Sequence, residues 1–206
     1  MEKVLYVDLD GTLLDTEDYL HKIFTANGVK YSKNKSIVNN YKRFPENSLE
    51  LSLIKESLSD YSVIPWRVSA IDSLKLLRTE FRVVLVSGYV WEFERRAKEI
   101  FASSLGLSII LCKNADRSEI DMGNAYYIDD SILNICDSNV KRDKSYALFN
   151  KYNSAEYSSD ECSDLVSEGC KIFMDWVDLT SAVMEVKVDA ELRDFICSRV
   201  KRLSSC

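Results

Sequence analysis

The 206-residue sequence predicts an α/β fold, a Rossmann-like parallel sheet with flanking helices, carrying a small helical insertion. Three observations predict it. Short continuous apolar runs recur at residues 4–7, 83–86, 107–111, 125–128 and 146–149. Such runs read as strands covered on both faces. Stretches with helical periodicity separate most of them, the alternation of βα units around a parallel sheet. Finally, the chain has only 6 Gly and 2 Pro, too few breakers for a collagenous, low-complexity or disordered chain.

The elements follow in order. The first strand, residues 4–7, ends at Asp8-Leu9-Asp10-Gly11. Tyr19, Leu20, Ile23 and Phe24 then share one helical face, which stops at Asn27-Gly28. Residues 29–45 read as one short helix and loops. Pro45 opens a further helix with Leu51, Ile54, Leu58 and Tyr61 on one side, and Pro65 closes it. Ile71, Leu74 and Leu77 mark a helix leading to the second strand, which ends at Ser87-Gly88. Phe93, Ala97, Ile100 and Phe101 define the apolar face of the next helix, which stops near Gly106. The third strand ends at Cys112-Lys113 and the fourth at Asp129-Asp130. A short helix over 132–136 precedes the fifth strand. Residues 151–169 are rich in Ser, Asp and Glu and read as a solvated loop or frayed helix. Residues 171–176 give a sixth short strand, and Leu192, Phe195, Ile196, Val200 and Leu203 a closing amphipathic helix. The helical stretch 15–66 is longer than one crossover needs. It reads as an inserted cap, leaving 1–14 and 67–206 as the core.

Composition excludes several functions. The net charge of -6 disfavours electrostatic capture of long nucleic acid but is compatible with a small phosphorylated ligand. The 6 Cys include no C-x-x-C pair, and His21 lies near none of them, so a zinc site is not expected. No apolar run reaches membrane-spanning length, and the N-terminus lacks a signal-peptide pattern. Reduced thiols in a cytoplasmic protein are the expectation; the oligomeric state stays open.

Polar clusters follow the strands: Asp8 and Asp10, then Ser87, then Lys113, then Asp129 and Asp130. In a parallel sheet the carboxyl ends share one edge, where ligands bind. Four carboxylates cannot sit together ionised without a cation. Oxygen ligands beside a phosphate suit Mg²⁺, and Asp is a nucleophile in aspartyl-phosphate chemistry. The residues therefore point to Mg²⁺-assisted phosphoryl transfer on a small phosphorylated substrate.

Asp8-Leu9-Asp10-Gly11-Thr12-Leu13-Leu14 resembles the D-x-D-G-T-[LV] first motif of the haloacid dehalogenase (HAD) superfamily. Val84-Leu85-Val86-Ser87-Gly88 resembles its second motif, Lys113 stands where the third-motif lysine is expected, and Tyr127-Ile128-Asp129-Asp130 resembles the fourth. The resemblance implies a HAD-like core with a C1-type cap. It makes Asp8 the nucleophile and a metal ligand. Asp10 becomes the general acid and base, binding metal through its carbonyl. Thr12 braces the loop, Ser87 and the amide after it (Gly88) hold phosphate oxygens, and Lys113 neutralises charge. Asp129 completes the Mg²⁺ shell, and Asp130 is either a ligand through water or an orienter of Lys113. Asp rather than an apolar residue at position 10 favours phosphatase or phosphotransferase over dehalogenase.

The compact insertion, the D-D fourth motif and the Trp176 region resemble the 5′(3′)-deoxyribonucleotidase-like branch, whose cap aromatics hold a nucleobase. Phe24, Tyr31, Tyr41, Phe44, Tyr61 and Trp66 are the candidates, either for that role or for filling the cap core. Tyr89-Val90-Trp91-Glu92 departs from the Thr-Ser-Pro pattern of that branch. The main expectation is a Mg²⁺-dependent phosphomonoester hydrolase, with nucleoside monophosphates as a candidate substrate. The alternatives are a sugar-phosphate phosphatase or phosphomutase of the same chemistry, and a binding scaffold without turnover.

Overall fold

The computed structural model describes residues 2–32, 35–150, 152 and 157–185. Six strands form one sheet: β1 (Val4–Asp8), β2 (Arg82–Tyr89), β3 (Ser108–Lys113), β4 (Tyr126–Asp129), β5 (Ser145–Leu148) and β6 (Lys171–Phe173). Every pairing is parallel, in the order β3-β2-β1-β4-β5-β6. The chain steps outward from β1 through β2 to β3, then returns to place β4 on the other side of β1. That reversal makes β1 and β4 the switch point, where a crevice opens beyond the strand ends. Val7 lies opposite Ile128 across the pair, so Asp8 and Asp129 emerge there side by side.

Both sheet faces are covered. Leu5, Val7, Leu85, Ile128 and Leu148 join one buried cluster, while Val86, Tyr127 and Ala147 join a second. Alternate residues of one strand thus bury on opposite sides, which is why the strands read as unbroken apolar runs. Seven helices accompany the sheet among the described residues: α1 (Thr16–Ala26), α2 (Leu49–Ser57), α3 (Ala70–Leu77), α4 (Glu92–Ser104), α5 (Ile132–Asp137), α6 (Ser159–Ser167) and α7 (Trp176–Met184). The 15–66 stretch holds α1, α2 and two 3₁₀ turns, Val38–Arg43 and Tyr61–Val63. Its two ends run together. The Asp15 N–H donates to the Pro65 carbonyl at 2.7 Å, that of Arg67 to Leu13 at 2.8 Å, and Leu14 pairs antiparallel with Trp66. Its Leu20, Phe24, Ile54 and Tyr61 pack in the same buried cluster as β1 and β2.

Three elements differ from the sequence expectation. The sixth strand stops at Phe173, because Asp175 caps α7 by accepting the N–H groups of Val177 and Asp178, both at 2.9 Å. The helix expected from Pro45 through Tyr61 runs only over Leu49–Ser57, capped by Ser48, with Tyr61 in a separate 3₁₀ turn. Within 151–169 the helix alternative holds, where Ser158 and Glu161 form a reciprocal cap that starts α6. The face of α4 is rotated from the expected one. Ile100 is 71% exposed, while Glu94, Lys98 and Phe101 are buried. The closing helix expected from Leu192 to Leu203 lies outside the described residues.

Candidate active site

Asp8 ends β1 and is buried against Asp129, which ends β4, and the adjacent Asp130. Oxygens of the three carboxylates lie within 4.8 Å of one another. Burial is the main force raising the Asp8 carboxyl well above its ordinary value; Asp129 and Asp130 add to it, and Arg117 opposes it. Burial, with the charge of Asp129, raises Asp130 in the same way, and burial raises Asp129. A buried donor set of carboxylate oxygens that resist carrying three charges fits a hard divalent cation such as Mg²⁺.

One cation is already present. Arg117, 1% exposed, donates to Asp8 Oδ1 at 2.8 Å and to the Tyr127 hydroxyl at 3.3 Å. Burial works against its charge, but Tyr127, Asp8 and Asp129 together hold the guanidinium above its ordinary value. Its Nη1 is buried without a partner among the described residues. Tyr127 passes the network on by donating to Asp129 Oδ2. Asp129 Oδ1 also accepts the Ser131 N–H at 2.8 Å, and the Asn134 amide reaches both its oxygens at 3.2 and 3.1 Å.

The loop carrying Arg117 reaches Asp8 by a close approach. After β3, Asn114 and Ala115 both take left-handed conformations, with φ of 56° and 63°, and the turn folds back onto Gly88. A Cβ on Gly88 would lie 2.8 Å from that of Ala115. Gly11 has φ +78°, and a Cβ there would lie 2.2 Å from Asp130 Oδ2. Both turns therefore need glycine for the site to assemble.

Asp10 faces a different group. Its Oδ2 accepts Lys98 Nζ at 2.7 Å, Ser87 Oγ at 3.1 Å and the Tyr61 hydroxyl at 3.4 Å, and its Oδ1 accepts Thr16 Oγ1 at 2.9 Å. Lys98 also meets Glu94 at 2.9 Å and the Gly88 carbonyl. Burial lowers the Lys98 ammonium, but Asp10 and Glu94 outweigh it and leave the group above its ordinary value. Thr12 is buried and donates to Asp130 Oδ1 at 3.5 Å. Arg67 donates to the carbonyl of Gly11 at 2.7 Å and to those of Leu148 and Phe149 at 3.2 and 3.0 Å, tying the loops after β1 and β5 together.

Asp8, Asp10, Gly11, Ser87, Gly88, Lys98, Arg117 and Asp130 all line one cavity of about 1060 Å³. Lys113 does not. It is exposed at the end of β3, and the cations touching the carboxylates are Arg117 and Lys98. Asp10 turns its carboxylate to Lys98 and Ser87, apart from the group formed by Asp8, Asp129 and Asp130; its expected metal contact is through the backbone carbonyl, which this arrangement does not oppose.

No protein-family model and no curated protein sequence matches this chain. Solved structures do. A haloacid dehalogenase-like family hydrolase from Streptococcus pneumoniae superposes with a TM-score of 0.55 at 12% identity, over 87% of this chain and 97% of that one. The chain has the fold of the HAD-like hydrolases. YfnB from Bacillus subtilis, described as a HAD-hydrolase bound to magnesium, gives 0.53 at 11% identity, over 88% and 98% of the two chains. CbbY from Rhodobacter sphaeroides, solved with xylulose-(1,5)bisphosphate, gives 0.50 at 14% identity, over 87% and 96%.

On this HAD-like scaffold, sequence reasoning missed both cations. Lys98 had a signal, because Glu94, Ala97, Lys98 and Phe101 fall on one helical face. A Glu–Lys pair four residues apart ordinarily reads as a solvated pair. Arg117 had none, since it sits in the polar loop Asn114–Ser118, away from any apolar pattern.

Proposed function

We propose that this chain is a Mg²⁺-dependent phosphomonoester hydrolase that works through an aspartyl-phosphate on Asp8. The observation that carries the reading is the buried carboxylate group of Asp8, Asp129 and Asp130 at the switch point, with a buried arginine on the first of them. Those three residues would hold the metal, which when bound supplies charge neutralisation and alignment of the phosphate. Arg117 engages Asp8 Oδ1, while Oδ2 accepts no hydrogen bond from the described residues. Oδ2 is accordingly the attacking atom. Its bond to phosphorus forms as the ester P–O bond breaks, and Asp10 gives a proton to the leaving oxygen. In the second step Asp10 takes a proton from water as that water attacks phosphorus, releasing phosphate and regenerating Asp8.

Ser87 and the Gly88 amide hold phosphate oxygens in this scheme. Arg117, with its unpartnered buried N–H, fills the charge-neutralising role expected of Lys113. The 15–66 insertion acts as the substrate-selecting cap. The substrate is a small phosphoester. Of the six aromatics considered for holding a nucleobase, only Tyr41 lines the cavity. Phe24 and Tyr61 are buried in the core, and Tyr31, Phe44 and Trp66 pack against it. Tyr89, Trp91, Tyr152 and Tyr157 line the same cavity, so aromatic rings still face the ligand, and nucleotides and sugar phosphates both stand as candidate substrates.

The deciding measurement is p-nitrophenyl phosphate hydrolysis with and without Mg²⁺, for the wild type and Asp8→Asn. Metal-dependent turnover abolished by Asp8→Asn is expected. No metal-dependent turnover on this or any phosphate panel would overturn the hydrolase reading.

A further inference from the structure

We propose that Lys42 and Arg43 form a second anion site in the same cavity, so that the substrate carries a further phosphate or carboxylate beyond the transferred phosphoryl group. The proposal rests on the hydrolase reading for the fate of the first phosphate, but the anion site itself does not depend on turnover.

A cavity of about 1060 Å³ is large enough for a whole small ligand rather than a phosphate alone. Its wall opposes two sets of charge. Asp8, Asp10 and Arg117 belong to the reacting group, and Lys42 and Arg43 end the 3₁₀ turn Val38–Arg43 of the insertion. Arg43 is the one arginine among the described residues that has no hydrogen bond or ion pair. Arg67 and Arg78 bond carbonyls, Arg117 holds Asp8, and Arg82, Arg95, Arg96 and Arg142 pair with glutamates. Lys42 meets only the ring of its neighbour Tyr41, at 5.9 Å.

The acids on the cavity wall are mostly engaged. Glu94 holds Lys98 and the Val90 N–H, Asp116 accepts from Ser118, and Glu161 accepts from Ser158. Asp137, at the end of α5, is the exception. In a chain of net charge -6, Lys42 and Arg43 stand as two solvent-exposed cations on the wall of the cavity that also holds Asp8 and Arg117, with no carboxylate partner among the described residues.

The turn is also fixed in place. The buried carboxylate of Glu17, on α1, accepts the N–H groups of Ile37 and Val38, both at 2.9 Å, and the Ser36 hydroxyl. The backbone at the start of the turn is thus held before a ligand arrives, which reduces that part of the ordering cost of binding. Arginine suits the task because its fork matches phosphate or carboxylate. The rival role is that the two cations merely offset carbonyls at the end of the turn, in which case they affect stability and nothing else.

Three probes test this with the full chain and Mg²⁺: fructose 1,6-bisphosphate, 3-phosphoglycerate and glucose 6-phosphate. The last has no second anion, and the first two distinguish phosphate from carboxylate. The wild type should favour at least one of the two probes that carry a second anionic group over glucose 6-phosphate by about tenfold in kcat/KM. Arg43→Gln should erase most of that ratio, about tenfold, through KM. Arg96→Gln, on the exposed face of α4, is the control and should leave the ratio in place. Ligand-induced thermal shifts on the same proteins read binding without turnover.

A wild-type ratio near one, or the same ratio and the same thermal shifts in Arg43→Gln, overturns the anion site while leaving the hydrolase reading intact. Arg43-dependent shifts without turnover of any probe uphold the site and overturn the hydrolase reading instead.

Discussion

Gly11→Ala separates backbone strain from assembly of the site, because Gly28 supplies a matched control. Both glycines are left-handed, with φ of +78° and +72°. A Cβ in that region costs about 1–2 kcal/mol. At Gly28 nothing lies within 4 Å of the added atom, so strain is the whole effect. At Gly11 the Cβ would sit 2.2 Å from Asp130 Oδ2 and 2.8 Å from its Cγ. An ordinary contact needs more than 3.4 Å, so the Asp130 side chain has to retreat by about 1 Å. That retreat weakens its hydrogen bond from Asn150, now 3.0 Å, a further loss of about 1 kcal/mol. It also draws Asp130 out of the three-carboxylate group. Gly28→Ala should therefore lower Tm by about 2–8 °C and Gly11→Ala by about 4–12 °C, at roughly 2–4 °C per kcal/mol for a chain of this size. The stronger contrast is in Mg²⁺ binding. Titrating Mg²⁺ against Tm should give a Kd at least about tenfold weaker for Gly11→Ala and unchanged for Gly28→Ala. If the two variants have the same Tm and the same Mg²⁺ response, the close approach of Gly11 to Asp130 does not matter and the placement of that turn is refuted.

Other consequences are checkable on the same protein. Arg117→Met leaves Asp8 as a buried carboxylate without its partner and should cost about 3–5 kcal/mol in urea melts without Mg²⁺, whereas Lys113→Met, on an exposed side chain, should stay within about 0.5 kcal/mol. A loss in Lys113→Met as large as in Arg117→Met would reverse that ranking of the two cations. The raised carboxyls of Asp8, Asp129 and Asp130 favour the protonated folded state, so their stabilisation is full at low pH and lost as pH rises through their folded values. In EDTA, Tm should fall as pH rises above the ordinary carboxylate range, and Mg²⁺ should narrow the fall; an equal fall in both buffers contradicts the metal group. Trp176→Phe removes the indole N–H that donates to the buried Thr12 carbonyl at 2.9 Å and should cost about 1–3 kcal/mol by chemical denaturation.

Where burial is symmetrical, the sequence was readable. β1, β2, β4 and β5 are covered on both faces, so their apolar runs could not be mistaken for amphipathic helices of the same length. The carboxyl-end clusters followed, since a parallel sheet leaves only one edge for them. Reading failed where a local signal competed with tertiary packing. The run from Lys171 to Trp176 looked like one strand, yet Asp175 breaks it by capping α7, and an N-cap Asp inside an apolar run was the available clue. Phe93 and Ile100 looked like core on α4, but the helix turns its Glu94–Lys98 pair inward because Asp10 offers a buried partner that only the folded chain presents. The lysine expected after β3 was placed by motif order and by its position at the strand's carboxyl end. The structure turns the chain there through Asn114 and Ala115, so the cation that arrives at Asp8 is Arg117, four residues on.

The two glycines of the site do different physical work, and the difference explains how a chain with so few of them assembles it. Gly11 needs both its left-handed φ and its missing Cβ, since the turn after β1 and the carboxylate of Asp130 occupy the same space. Gly88 has no positive φ; only the missing side chain matters, because Ala115 sits where a Cβ would be. In each case a strand-end turn is packed directly against the loop from another strand. A buried carboxylate group and its arginine can be held within 3 to 5 Å only if those backbones approach this closely. The charges repel or attract strongly at such range, so a displacement of even one side-chain radius changes the balance among Asp8, Asp130 and Arg117. The geometry of the turns and the electrostatics of the site are therefore one constraint, imposed at Gly11 and Gly88.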